Sequence, residues 1–355
     1  MKKNVSKLLL AIVSLLSSTN VSAYDFEVDG LYYEVVSASD CTCKVVSNRP
    51  QRYAGNIAIP VTFSYDGTIW TVVEIGSSAF SNCEDLTSVV IPNSVTTIDK
   101  GAFRNCSSLI SVTIPNSVIT INESAFGNCT SLTNITIPNS VTTIGVSVFS
   151  GCTSLTNVTI SNSIKRISFT LFSDCSSLTS ITIPNSVISI DSRAFMGCHS
   201  LTSVTIGKSV NQIYGGVFSG CNALTTLYSL NTTPPNVDTD NFTYSQNMNI
   251  NVYVPQEALS AYRNVEPWKS FKNLQSIEGT GQEMKKCTMP TIHYANNKLT
   301  FDCETEGVTF ESKITDTDIA SYSSNEIKLG ATYNISVYAT KAGYEDSDKA
   351  TATLC

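Results

Sequence analysis

Cysteine carries the most latent chemistry in this chain, and its spacing is regular. Cys83, Cys106, Cys129, Cys152, Cys175, Cys198 and Cys221 stand 23 residues apart. Thiols at one fixed period can form cross-links, a metal ladder or a row of buried side chains. Stacked coils would bring neighbouring Cα atoms to about 5 Å, within disulfide range. Yet the number is odd, and stacked side chains aim the same way. Cysteine is also a common small buried residue. Buried free thiols are therefore favoured over bridges. Cys41 and Cys43 have no second pair or histidine beside them in sequence, which falls short of a zinc pattern. A disulfide to another partner, or no bond, suits them better. Among Cys287, Cys303 and Cys355 one bridge would leave one thiol over.

Other reactive types are sparse or isolated. His199 and His293 lie far apart in sequence, and His199 takes a position where Ser or Thr is the rule; a surface histidine is expected. The pairs Asp238/Asp240 and Asp316/Asp318 fit no defined calcium loop and read as solvated turns. No phosphate-cradling loop and no nucleophile–base motif can be read. The expectation is a chain with no catalytic residue, no metal and no cofactor, and so not an enzyme. With 22 basic and 29 acidic residues the net charge is −7, which disfavours nucleic acid and anionic membranes as partners. Only 14% of residues are charged, so Ser, Thr and Asn must make up the polar surface.

The elements that would position these residues follow from the same period. Phe80, Phe103, Phe126, Phe149, Phe172, Phe195 and Phe218 recur every 23 residues, and so do Leu86, Leu109, Leu132, Leu155, Leu178, Leu201 and Leu224. Three residue types in one register over seven copies define a repeat. Residues 132–137 alternate apolar and polar with β-branched side chains, which predicts a short strand ended by Pro138. The segment holding Ala125, Phe126 and Cys129 is too short for a stable helix and predicts one helical or 3₁₀ turn. A lone unit cannot bury enough apolar surface to offset its chain entropy, so the units must stack with their strands parallel. The fold class is a β-rich repeat solenoid of 23-residue coils with a parallel sheet.

Two positions on each strand point away from the core. One carries Ser88, Ser111, Asn134, Asn157, Ser180, Ser203 and Thr226; the other carries Val90, Thr113, Thr136, Thr159, Thr182, Thr205 and Tyr228. Such ladders stabilise a sheet by themselves. They also make a flat, uncharged, hydrogen-bonding face suited to glycoprotein or polysaccharide, with Ser111, Thr113, Asn134, Thr136, Asn157, Thr159, Ser180 and Thr182 as the candidate binding residues. Against this, the ladder is poor in the Trp, Tyr and Arg anchors that dominate protein hot spots. A second candidate surface is the set of variable positions on the opposite side: Lys165, Arg166, Phe169, Arg193, Met196 and Tyr214.

The pattern Leu109, Val112, Ile114-Pro115, Val118, Ile121, Ala125-Phe126 and Cys129 resembles the BspA-type leucine-rich repeats of bacterial and protozoan surface proteins. The match spans about residues 57–277. Ser161 and Gly207 depart from it at the proline position and Leu171 at the alanine position, which should bend the solenoid slightly without breaking it. The resemblance implies a surface-exposed adhesion or recognition protein, with host extracellular-matrix or cell-surface glycoproteins as partners. The rival readings are a purely structural surface rod and a glycan-binding accessory protein.

Residues 1–23 read as a signal peptide: three lysines, an apolar run over 8–16, and Val21-Ser22-Ala23 before the expected cleavage. Without that segment the charge is near −10. A secreted or surface location follows, with no membrane span and a monomer expected. Residues 24–66 predict an N-terminal cap of hairpins turning at Gly30 and at Asp66-Gly67, 67–228 the solenoid, and 229–278 a C-terminal cap in which Trp268 and Phe271 cover the last edge. Residues 279–355 follow a Gly279-Thr280-Gly281 linker with strand-like runs at 291–294, 298–303, 308–314, 326–329, 333–340 and 350–354. This spacing predicts a small β-sandwich. It is similar to immunoglobulin-like (chitobiase C-terminal-like) modules, which implies a spacer or accessory binder.

Overall fold

The computed structural model describes residues 24–47, 52–238, 240–242 and 249–277. Beyond them it describes the runs 289–295, 298–302, 309–315, 322–323, 326–327, 333–340 and 349–354. The expected signal peptide and the cysteines 287, 303 and 355 lie outside the described residues. The repeats stack into a parallel solenoid. On one side run the predicted strands, among them Leu86–Val90, Ser111–Thr113, Asn134–Thr136, Asn157–Thr159, Ser180–Ile183, Ser203–Ile206 and Thr226–Ser229. Pairing keeps a 23-residue register: Asn134 faces Asn157, and Ser180 faces Ser203.

The structure adds a second parallel ladder that periodicity alone does not predict. It is built from two-residue strands such as Thr97–Ile98, Thr120–Ile121, Thr143–Ile144 and Ser189–Ile190. Two residues are too few to show an alternation in sequence. The expected helical turn is also different. Between Ser124 and Cys129 the N–H groups alternate between local and inter-coil partners. Gly127 N–H donates to Ser124 O at 3.0 Å and Cys129 N–H to Phe126 O, while Phe126 N–H donates to Val148 O at 2.9 Å and Asn128 N–H to Ser150 O at 2.7 Å. Half the donors thus hold the turn and half hold the next coil, which satisfies the backbone without a helix.

Two left-handed residues per coil close these turns. One row is Asn82, Asn105, Asn128, Gly151, Asp174, Gly197 and Gly220, all at positive φ. Asn, Asp and Gly tolerate that region best. The other row is Ser78, Gly101, Ser124, Ser147, Thr170, Arg193 and Gly216. Asn105 Nδ2 donates to Asn82 Oδ1 at 2.7 Å, and Asn128 Nδ2 to Asn105 Oδ1 at 3.0 Å, so the first row begins as an amide ladder.

The core is continuous. Phe80 through Phe218 are all fully buried and stack in one file, with neighbouring rings 6° to 10° from parallel. Their centroid spacing widens from 5.0 Å at Phe80–Phe103 to 6.1 Å at Phe195–Phe218. Paired strands are about 4.8 Å apart, so the phenylalanine side is the longer arc and the sheet face the shorter. The widest step falls in the coil carrying Gly207. Ser161, at the proline position, is buried and donates through Oγ to Val141 O at 2.9 Å; Leu171 is accommodated fully buried.

The caps extend this file, and the coils run further than the 67–228 boundaries predict. Strand Gly55–Ala58 already pairs in parallel with Leu86–Val90. The residues inserted before Ile75 form the antiparallel hairpin Thr62–Tyr65/Thr68–Ile75, turning at Asp66-Gly67. A second hairpin, Phe26–Val28/Leu31–Ser37, turns at Asp29-Gly30. Tyr53 packs against Phe80 at 4.8 Å with the rings tilted by 44°, covering the first phenylalanine of the file. At the other end Thr226–Ser229 pairs with Asn251–Val254, which pairs with Asn273–Ser276, all parallel. Phe242 continues the file at 5.5 Å from Phe218 and meets Phe271 edge-on. Trp268 is fully buried, its indole N–H on the Pro235 carbonyl at 2.8 Å.

In the terminal region the described strands follow the predicted runs closely: Thr291–Ala295 pairs with Lys298–Asp302, and Thr309–Thr315 pairs with Tyr333–Thr340, which pairs with Ala350–Leu354, all antiparallel.

Candidate functional site

The sheet face brings the candidate residues together. Ser111 and Thr113 flank buried Val112, Asn134 and Thr136 flank buried Ile135, and Asn157 and Thr159 flank Val158; all six polar residues are exposed. Ser180 is exposed and Thr182 half-buried. The register aligns them into two rows along the solenoid, Ser88 against Ser111, Asn134 against Asn157, Thr136 against Thr159, and Thr182 against Thr205. Neither row carries a charge over these coils. Part of the hydrogen-bonding capacity is used internally: Asn157 Nδ2 donates to Asn134 Oδ1 at 2.8 Å, and Thr87 and Ser88 hydroxyls both donate to Asn56 Oδ1.

The rows end differently from how they begin. Tyr228 follows Thr205 in register, and Tyr253 follows Tyr228. The two rings stack at 5.0 Å with planes 21° apart. Both are half-buried, and beyond them Gln275 is exposed. Burial raises the Tyr228 phenol, and the neighbouring Tyr253 phenol adds to the shift. Sequence reading leaves this pair apart because Tyr253 is 25 residues on, not 23, and falls in the region assigned to the cap. The repeated alternation Thr226-Leu227-Tyr228 and Asn251-Val252-Tyr253 is the signal that finds it.

The opposite side is charged and apolar by turns. Phe169, Ile188 and Tyr214 are 41%, 45% and 43% exposed. Arg166 pairs with Asp191 at 3.5 Å, and Arg193 occupies a left-handed turn position. Lys165 is exposed and Met196 half-buried. His199 is exposed, its Nδ1–H on the Gly220 carbonyl at 2.9 Å. Among the described residues no three His, Cys, Asp or Glu side chains converge to hold a metal ion.

The repeat thiols lie away from both surfaces. Each of Cys106, Cys129, Cys152, Cys175, Cys198 and Cys221 is buried, with Sγ on the phenylalanine carbonyl of the preceding coil at 3.0–3.3 Å. Burial pushes the Cys106, Cys152 and Cys221 thiols up to about 12. Cys41 and Cys43 are free, Cys43 buried.

The solenoid geometry defines a leucine-rich repeat protein. The model of the BspA type leucine rich repeat region matches residues 73–176 and 165–280 with six copies, and the chain belongs to this family. No curated protein is detectably similar. Among solved structures the chain is similar to a leucine rich repeat protein of T. pallidum, with 29% identity, 56% of this chain and 90% of that one covered, and a TM-score of 0.47. A leucine-rich repeat protein from Bacteroides ovatus has 21% identity, coverages of 75% and 94%, and a TM-score of 0.42. A leucine rich cell surface protein from Faecalibacterium prausnitzii has 20% identity, coverages of 59% and 95%, and a TM-score of 0.28. Among the described residues no helix is long and apolar enough to cross a membrane.

Proposed function

We propose that this chain is exported through its N-terminal segment and acts outside the cell as a monomeric adhesion or recognition protein, without catalysis, using the sheet face to bind an extracellular glycoprotein or glycan. The carrying observation is the exposed and uncharged double row from Ser111 to Ser180, carried on short strands of successive stacked coils. A rigid repeating scaffold presents its face with little ordering cost on binding. The residues 279–355 serve in this reading as an immunoglobulin-like spacer.

One observation favours a structural rod instead: the hydrogen bond from Asn157 Nδ2 to Asn134 Oδ1 uses the face's polar groups on one another. An array of matrix glycoproteins and glycans separates the two. Placing a charge on the face with Asn134→Lys and Asn157→Lys should abolish binding, whereas Arg193→Glu on the opposite side should not. Silence of the unsubstituted chain across the whole array would leave the rod. Fractionation of the producing cells tests the location.

A further inference from the structure

We infer that the C-terminal end of the sheet face holds a seat for a neutral oligosaccharide, built where the threonine row meets the stacked pair Tyr228 and Tyr253. This deepens the proposal that the sheet face is the recognition surface, and it rests on that reading.

Side chains stand roughly perpendicular to a sheet. Thr113, Thr136, Thr159, Thr182 and Thr205 therefore form a low floor of hydroxyls. In register after Thr205 comes Tyr228, then Tyr253. A tyrosine ring rises well above a threonine, so the stacked pair makes a step at the end of the floor. Tyr253 stacks on Tyr228, and Thr205 precedes Tyr228 in register. Along the parallel row Thr226 is followed by Asn251 and Asn273, so amides flank the step.

This combination fits a sugar better than it fits a polypeptide or an ion. A pyranose has a patch of C–H groups that packs on an aromatic ring and a rim of hydroxyls that both donate and accept. Tyrosine supplies the apolar ring with a polar tip. Threonine hydroxyls and asparagine amides supply donors and acceptors together. A charged partner would be left without a counter-charge, since neither row carries one.

Tyr228→Thr tests the inference, because threonine already occupies that position in the five preceding coils and the fold tolerates it there. The full chain is titrated by calorimetry with soluble cellulose oligomers, a mannan and a galactan, beside an anionic uronic-acid polymer. The expected result is binding of at least one neutral glycan, weakened at least about tenfold by Tyr228→Thr or Tyr253→Ala and kept within about twofold by Tyr228→Phe. Thermal unfolding of each variant checks that the solenoid is intact. Neutral-glycan binding that ignores the tyrosine substitutions overturns the seat. So does a preference for the anionic polymer, or no binding to any saccharide. If no saccharide binds while the glycoprotein array still responds and the Asn134→Lys and Asn157→Lys changes abolish that response, the seat fails and the wider recognition surface stands.

Discussion

The Sγ of Cys129 donates to the carbonyl of Phe103 in the preceding coil at 3.1 Å. The same carbonyl also accepts the N–H of Cys106 at 3.2 Å, so both lone pairs are used. Cysteine is suited to this place because it is small, tolerates burial and carries a weak donor. Alanine would fill the space less well and leave one bond unmade. Native protein should therefore resist thiol reagents at all seven repeat cysteines and react at all seven once unfolded without reductant. Fewer than seven free repeat thiols in that titration would rule out the free-thiol row.

Alkaline pH should unfold the solenoid. The ordinary thiol value is 9.0, and burial raises Cys106, Cys152 and Cys221 to about 12, with Cys129 and Cys175 also well above 9.0. Below the ordinary value, folded and unfolded thiols both keep their protons and stability is level. Above it the unfolded chain releases protons that the folded chain retains, so stability falls by about 1.4 kcal/mol per pH unit for each such thiol. The melting temperature should hold to about pH 9 and then drop steeply, and Cys152→Ala should lessen the slope by about one proton. A flat profile through that window would contradict the burial of these thiols.

Phe126 stacks on Phe103 at 5.1 Å and on Phe149 at 5.5 Å, fully buried. Phe126→Ala should cost about 3–5 kcal/mol, from lost burial and the cavity between two unrelaxed rings. Urea unfolding measures it. A cost below about 1 kcal/mol would mean the file is not the core.

Gly207 stands in the position held by Pro92, Pro115, Pro138 and Pro184 in other coils. Restoring that proline should destabilise the protein. A Cβ at Gly207 would sit 2.5 Å from Pro184 O and 2.6 Å from Pro184 C, and this backbone cannot step aside. Gly207→Pro is expected to lose about 1–3 kcal/mol by overpacking. A raised melting temperature would be the contrary outcome.

Trp268→Phe removes the indole N–H that meets Pro235 O at 2.8 Å and leaves a buried acceptor unpaired. The expected loss is about 1–3 kcal/mol. Coils in a stack depend on their neighbours, so the damage should show first as faster amide exchange in Asn251–Val254, with the central coils little changed. Uniform acceleration along the whole solenoid would argue against a capping role.

Residue types at a fixed period are legible in one dimension. The chain's own order therefore establishes the repeat, a strand within 132–137, the inward file of Phe126 and its counterparts, and the small buried place of Cys129. Each follows from local patterning, because side-chain direction alternates along a strand and identical coils must stack to bury their apolar faces. The second ladder at Thr120–Ile121, the alternating donors from Ser124 to Cys129, the thiol bond from Cys129 to Phe103 and the Tyr228–Tyr253 pair needed the folded chain. Their inter-coil contacts join residues about a coil or more apart, through backbone groups that every residue type shares or across a change of spacing from 23 to 25 residues. Only the stacking of one coil on the next decides which of those groups meet.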